Sequence, residues 1–355
     1  MIETKIIENV GVIYLAKPNL INALDIDMVR DIKSTLESWE SDDNVRAVLL
    51  DSTSDRGFCS GGDLKSLYDN LINNEDLANK EKFFVEEFDL DKYLSAYKKP
   101  VVSHWYGITM GGGIGLTINS DFIIVDETVN WAMPETRLGF VPDVGVCHYI
   151  SKLPQAVGQY VGLLGKSLGA SDVIEFGLAD FYINSNYYDK AIKNLFNLSR
   201  DYYGDELIEK FRESIKDNEN TKDSSKIKKD LDAINKYFTG DSIEDIYENL
   251  NKNLDDQFAK DCLKEFAERY PLMLKVQYEK YFVCKNLNYQ DTIDLDLKIL
   301  RHSVISGSMK EGIKAVIIDK NHKANLPEDS LAIVDEEKIK NLLSIEKTHK
   351  EKTSL

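Results

Sequence analysis

Apolar positions along the chain change their period partway, from short strand-like runs in the first part to helical stripes in the second. Residues 11–15 (G-V-I-Y-L) and 45–50 (V-R-A-V-L-L) are short and rich in β-branched side chains, the form of buried strands. Between them Met28, Val29, Ile32, Leu36 and Trp39 recur at three- and four-residue spacing. That spacing predicts a helix with one apolar stripe, capped by Asn22 or Asp25. Residues 73–92 are charged and read as a loop leading into a helix, with Phe83, Phe84, Phe88 and Leu90 on its apolar side. Residues 100–105 (P-V-V-S-H-W), 121–125 and 129–132 are three further strand segments.

Two glycine loops punctuate this part. Residues 56–65 (R-G-F-C-S-G-G-D-L-K) follow the second strand, with Asp63 placed to cap a helix. The strand at 100–105 is expected to feed the other loop, Gly111-Gly112-Gly113, which runs into an apolar, helix-like segment at 114–118. Strand, glycine loop and helix start thus occur twice in the same order, which predicts an α/β fold of stacked turns. Beyond Gly145 the pattern becomes helical, over 155–166, 171–176, 188–198, 242–250, 256–270, 272–281 and 292–305. Residues 217–225 (D-N-E-N-T-K-D-S-S) are polar and turn-rich. The expected organisation is a core over 1–200, a polar linker or surface loop with a helix over 201–241, and a helical C-terminal region over 242–355 with a frayed tail at 347–355.

Composition narrows the function. A formal charge of −17 argues against a nucleic-acid-binding face, and an anionic small ligand would need a local basic patch. No apolar run reaches the roughly 18–20 residues of a membrane span, and the start, M-I-E-T-K, lacks a basic-then-apolar signal. A soluble, cytoplasmic protein is expected, or one of the mitochondrial matrix after removal of a transit peptide. Cys59, Cys147, Cys262 and Cys284 are scattered without ligand spacing, so neither a disulfide framework nor a metal site is expected.

The candidate chemistry lies between Met110 and Asp143. A glycine run lets a ligand approach the backbone, and a helix starting there points free N–H groups outward. Two such loops can each present one N–H to a single oxygen, an oxyanion hole. Glu135 (M-P-E) and Asp143 (V-P-D) follow, each beside a proline and in loop-like sequence, unlike solvated surface acids. There is no G-x-x-x-x-G-K-[ST] phosphate loop and no G-x-S-x-G elbow. His104 and His148 read as core histidines.

The spacing of G-F-C-S-G-G-D (57–63), M-G-G-G-I-G-L (110–116) and M-P-E-T-R-L-G (133–139) resembles the crotonase, or enoyl-CoA hydratase/isomerase, superfamily over roughly residues 5–200. V-P-D-V-G (141–145), F-F-V-E-E-F (83–88) and K-E-G-I-K-A-V-I-I-D-K (310–320) are similar to its hydrolase members. The resemblance implies a spiral of ββα turns with a helical C-terminal region. It implies hydrolysis of a short 3-hydroxyacyl-CoA thioester, above all 3-hydroxyisobutyryl-CoA in valine catabolism. Gly62 and Gly112 would be the amide donors, flanked by Gly61, Asp63, Gly111 and Gly113. Glu135 would be the acid shared with the hydratases, Asp143 the acid typical of hydrolases, and Glu87 a further substrate-side carboxylate, while Lys65 and Lys320 would contact CoA. Hydratases carry a second glutamate two residues past the glycine triplet, where this chain has Gly115. No cofactor is implied, because CoA belongs to the substrate. Superfamily cores often assemble as trimers, yet the long C-terminal helices could instead cover their own core. The alternatives are an enoyl-CoA hydratase or isomerase and a non-catalytic acyl-CoA-binding protein.

Overall fold

The computed structural model describes residues 1–345. Its strands are β1 (Ile2–Ile7), β2 (Val10–Leu15), β3 (Ala47–Ser52), β4 (Val101–Trp105), β5 (Ile108–Met110), β6 (Phe122–Asp126), β7 (Asn130–Ala132) and β8 (Phe181–Ile183). The larger sheet has the order β1-β2-β3-β4-β6-β8, antiparallel at β1–β2 and parallel elsewhere. β3, β4 and β6 are covered on both faces, so nearly every side chain they carry is buried, which explains their continuous apolar sequence. β5 and β7 pair in a second, smaller sheet, and single bridges Leu24↔Gly62, Cys59↔Thr109 and Trp131↔Leu168 continue it to either side. Each turn of the chain therefore gives one strand to the large sheet and one short stretch to the small one before its helix.

One expectation is corrected here. The strand at 100–105 does not itself feed the glycine turn: β4 stops at Trp105, the chain changes sheets, and β5 delivers the turn. Gly107 makes the corner, with φ at +48° and a position where a Cβ would lie 2.4 Å from the carbonyl oxygen of Arg56.

Helix α1 (Ile26–Glu40) buries the anticipated stripe, Met28, Val29, Ile32, Leu36 and Trp39. Asp25 caps it, accepting from the amide of Met28 at 2.9 Å. Asn22 instead ties loops together, accepting from the amide of Lys17 and donating to the carbonyl of Phe58, each at 2.8 Å. Helices α2 (Leu64–Asn73) and α3 (Leu77–Leu94) follow the first glycine loop, and a short helix, α4 (Gly112–Gly115), starts inside the second. The apolar segment 114–118 is thus helical from its glycines onward, ending sooner than its sequence suggests.

Within 201–241, helix Gly204–Ile215 buries Leu207, Phe211 and Ile215 against the outer face of the large sheet. The polar tract beyond it is tied down at Asn220, whose amide donates to Tyr182 at 2.8 Å. The C-terminal helices fold back over the chain's own core: Pro271–Cys284 packs on Gln155–Leu164, Tyr289–Ser306 on α3, and Ser308–Ile313 on α2. The tail at 347–355 lies outside the described residues. Among the described residues no helix is long and apolar enough to cross a membrane.

Candidate active site

Both glycine loops end on one small cavity of about 60 Å³. Ser60, Gly61 and Gly62 from the first and Met110, Gly111 and Gly112 from the second form one wall, and Leu64, Leu67, Phe83, Phe84, Leu138 and Phe140 supply apolar cover. The bridges Leu24↔Gly62 and Cys59↔Thr109 hold the two loops in register. Neither the N–H of Gly62 nor that of Gly112 donates to a protein acceptor among the described residues, so both are free to meet a ligand oxygen. A side chain could not stand at position 112, where a Cβ would lie 2.1 Å from Oε1 of Glu87.

Glu87, Glu135 and Asp143 line the same cavity. Glu135 opens a short 3-10 turn (Glu135–Leu138), Asp143 sits in the loop after it, and Glu87 projects from the buried face of α3. They are only 4, 5 and 6% exposed for Glu87, Glu135 and Asp143, and Asp91, one turn beyond Glu87, is 1% exposed. One oxygen each of Glu87, Asp91 and Glu135 has no hydrogen-bond partner.

Burial first, and then mutual repulsion, holds Glu87, Glu135 and Asp91 protonated well above the usual carboxylate range. Asp143 is pushed up to about 7, again chiefly by burial and then by Asp296, with Lys280 opposing. Four buried acids this coupled cannot all be ionised near neutrality. The site can therefore offer both a carboxylate and a carboxylic acid to one substrate.

Other anticipated residues stand further off. Gly61 and Gly111 line the cavity, whereas Gly113 is packed beneath it, a Cβ there falling 2.5 Å from that of Cys59. Asp63 caps α2 by accepting from the amide of Ser66 at 3.2 Å and pairs with Lys17 at 3.0 Å. Lys65, in the first turn of α2, and Lys320 are both exposed and outside the cavity lining. The segment Lys314–Ile318 just before Lys320 packs on α2, which brings the C-terminal region to the side of the molecule that holds Lys65. His104 is buried on the large sheet between Tyr106 and Tyr188, with its ring nitrogens 3.7 Å from Asp51 and 3.4 Å from Asp126.

Among the buried ionisable groups that escaped the sequence reading, Asp91, Lys280 and Asp296 lie beside the site's acids. The signal for Asp91 was present, since Glu87 and Asp91 are four apart and share the helix face of Phe83, Phe84 and Leu94.

Two unengaged amides and three buried acids thus meet at one cavity, on a spiral of strand pairs and helices. A family model described as enoyl-CoA hydratase/isomerase matches residues 10–343, and the chain belongs to that family, with the crotonase fold. The chain is 31% identical over 332 residues to the mitochondrial 3-hydroxyisobutyryl-CoA hydrolase of Xenopus laevis, covering 93% of this chain and 85% of that one. It is 30% identical over 329 residues to small ribosomal subunit protein mS47 of Neurospora crassa, covering 88% of this chain and 64% of that one. Among solved structures, a carnitinyl-CoA dehydratase from Mycobacterium thermoresistibile superposes with a TM-score of 0.85 at 28% identity, covering 98% and 97% of the two chains.

Proposed function

We propose that the protein hydrolyses a short 3-hydroxyacyl-CoA thioester, 3-hydroxyisobutyryl-CoA first, to the free acid and CoA, a step of valine catabolism. The observation that carries this reading is the joining of two unengaged amides, Gly62 and Gly112, with Glu135, Asp143 and Glu87 around one small cavity. In this reading the amides polarise the thioester carbonyl and receive the charge that develops on its oxygen. Each such donor is worth about 10²–10³ in rate. Once ionised, its proton lost with Lys280 favouring that loss, Glu135 acts at the carbonyl carbon, as nucleophile through a mixed anhydride that water resolves or as general base to the attacking water. The C–S bond breaks, the acyl carbon gains the oxygen of water, and the thiolate of CoA takes up a proton. Asp143 and Glu87 hold the 3-hydroxyl. The reaction as proposed uses no metal or bound cofactor, and CoA enters as part of the substrate.

Hydration of an enoyl-CoA is a second reading, favoured by the dehydratase neighbour, but it wants two acids flanking the double bond. Position 115 has no room for the second, a Cβ there lying 2.5 Å from Cβ of Val144 and 2.8 Å from Oδ2 of Asp91, so Asp143 would have to stand in for it. A non-catalytic scaffold is the third reading, in keeping with the ribosomal relative. Incubating the protein with 3-hydroxyisobutyryl-CoA and with the corresponding enoyl-CoA separates them. Hydrolysis releases free thiol, hydration removes enoyl absorbance without thiol, and a scaffold does neither. Either of the last two outcomes overturns the proposal.

A further inference from the structure

The loop that carries Asp143 is held at both ends from the C-terminal region. Lys280, on helix Pro271–Cys284, donates to the carbonyl of Pro142 at 2.5 Å. Asp296, on helix Tyr289–Ser306, accepts from the amide of Gly145 at 2.8 Å. Between these two anchors Tyr289 donates to the carbonyl of Val144 at 3.1 Å. Lys280 and Asp296 pair with each other, and both are 0% exposed.

We propose that Lys280 and Asp296 are positioning residues for the reaction, an ion pair that clamps Pro142–Gly145 and so fixes where Asp143 meets the substrate. This rests on the reading of Asp143 as a substrate-facing group. Stability alone is a poor reason for such a pair, because replacing buried ions with well-packed apolar groups is often neutral or stabilising. What an apolar pair could not do is hold a carbonyl and an amide on either side of a catalytic-loop carboxyl. A displacement of about 1 Å at such a point costs on the order of 10²-fold in rate.

The pair also sets the electrostatic surroundings of Asp143. The groups that face Asp143 are Glu87 and Asp91 from α3, Glu135 from its 3-10 turn, Asp296 from one C-terminal helix, and Lys280 from the other. Lys280 is the one cation among them, and its charge favours the carboxylate of Asp143 while that of Asp296 opposes it.

Two variants test the proposal. Asp296→Asn keeps an oxygen for the amide of Gly145 but removes the negative charge. The double variant Lys280→Met/Asp296→Asn is electrically neutral and also loses the donor to Pro142. The carboxyl carbon of Asp143, identified by its absence in Asp143→Asn, is titrated by ¹³C NMR. The preference for 3-hydroxyisobutyryl-CoA over isobutyryl-CoA is measured in parallel as a ratio of kcat/KM. Asp296→Asn is expected to move the Asp143 titration to lower pH by about half a pH unit or more. The double variant is expected to titrate nearer the wild type, yet to lose about tenfold in preference because the loop is no longer held. A folded Asp296→Asn whose Asp143 titrates as in the wild type overturns the proposal. So does a folded double variant with undiminished preference, which decides the matter if the single variant does not fold. The NMR titration needs no turnover, so a wild type that hydrolyses neither thioester defeats the functional reading while the titration still judges whether the pair stands against Asp143.

Discussion

Position 115 has no room for a side chain. Even the Cβ of alanine would overlap Val144, at 2.5 Å, and the carboxylate of Asp91, at 2.8 Å, both in buried and well-packed surroundings. Gly115→Ala is expected to lose about 1–3 kcal/mol in urea unfolding, the usual cost of overpacking a core. An unchanged midpoint would mean that Val144 can move aside and that the space argument against a second acid fails. Asp143 allows a test of selectivity. If its carboxylate accepts the substrate's 3-hydroxyl, Asp143→Asn should narrow the preference for 3-hydroxyisobutyryl-CoA over isobutyryl-CoA by about 10- to 150-fold, the worth of a charged hydrogen bond of roughly 1.5–3 kcal/mol. Equal loss on both thioesters would assign Asp143 to the chemical step or to the fold. Glu135, Asp143 and the two glycine loops were legible in the sequence, because acids beside prolines and glycines beside strands stand out from their neighbours. Lys280 and Asp296 were not, since they meet the site only through partners 138 and 151 residues away.

Among the elements, α3 is the most instructive. Its sequence reads as a charged helix with an apolar side, but Glu81, Glu87 and Asp91 lie on the buried face together with Phe83, Phe84 and Phe88. Strands β2, β3, β4 and β6 and helix α1 were legible because each is long enough or apolar enough to show its own period, and three-residue β7 fell within the segment 129–132 read as a strand. β5 and β8, as short as β7, were not, their pairing being a tertiary matter. β1, an edge strand with exposed Glu3, Thr4 and Lys5, likewise lacks a buried run.

Placing acids inside has a stability consequence whose sign is definite. Asp143 has an ordinary value of 3.8 and is raised to about 7 in the fold. Between those values the folded state binds more protons than the unfolded state, so stability falls as pH rises, and it levels off above the folded value. The Tm of the protein should therefore drop between about pH 4 and about pH 7, and Asp143→Asn should flatten that drop. A Tm that climbs over this interval in the wild type would contradict the burial of these acids in protonated form.

Over the whole molecule, the two halves of the sequence meet at the cavity. The strand-rich part supplies the amides and acids, and the C-terminal helices close over it, with Ser308 donating to the carbonyl of Gly139 at 2.8 Å and Lys280 to that of Pro142 at 2.5 Å. The family match through residue 343 accords with this arrangement, in which the C-terminal region is part of the site's frame. The central claim is that this frame exists to let Glu135 act on a thioester carbonyl held by two amides. The most direct measurement is the rate of thiol release from 3-hydroxyisobutyryl-CoA by the wild type and by Glu135→Gln, with CoA affinity measured alongside. The account predicts steady release of CoA by the wild type and a fall of at least ~10² in turnover for Glu135→Gln, with CoA affinity little changed. Near-normal turnover in the variant, or no thiol release by the wild type, would contradict it.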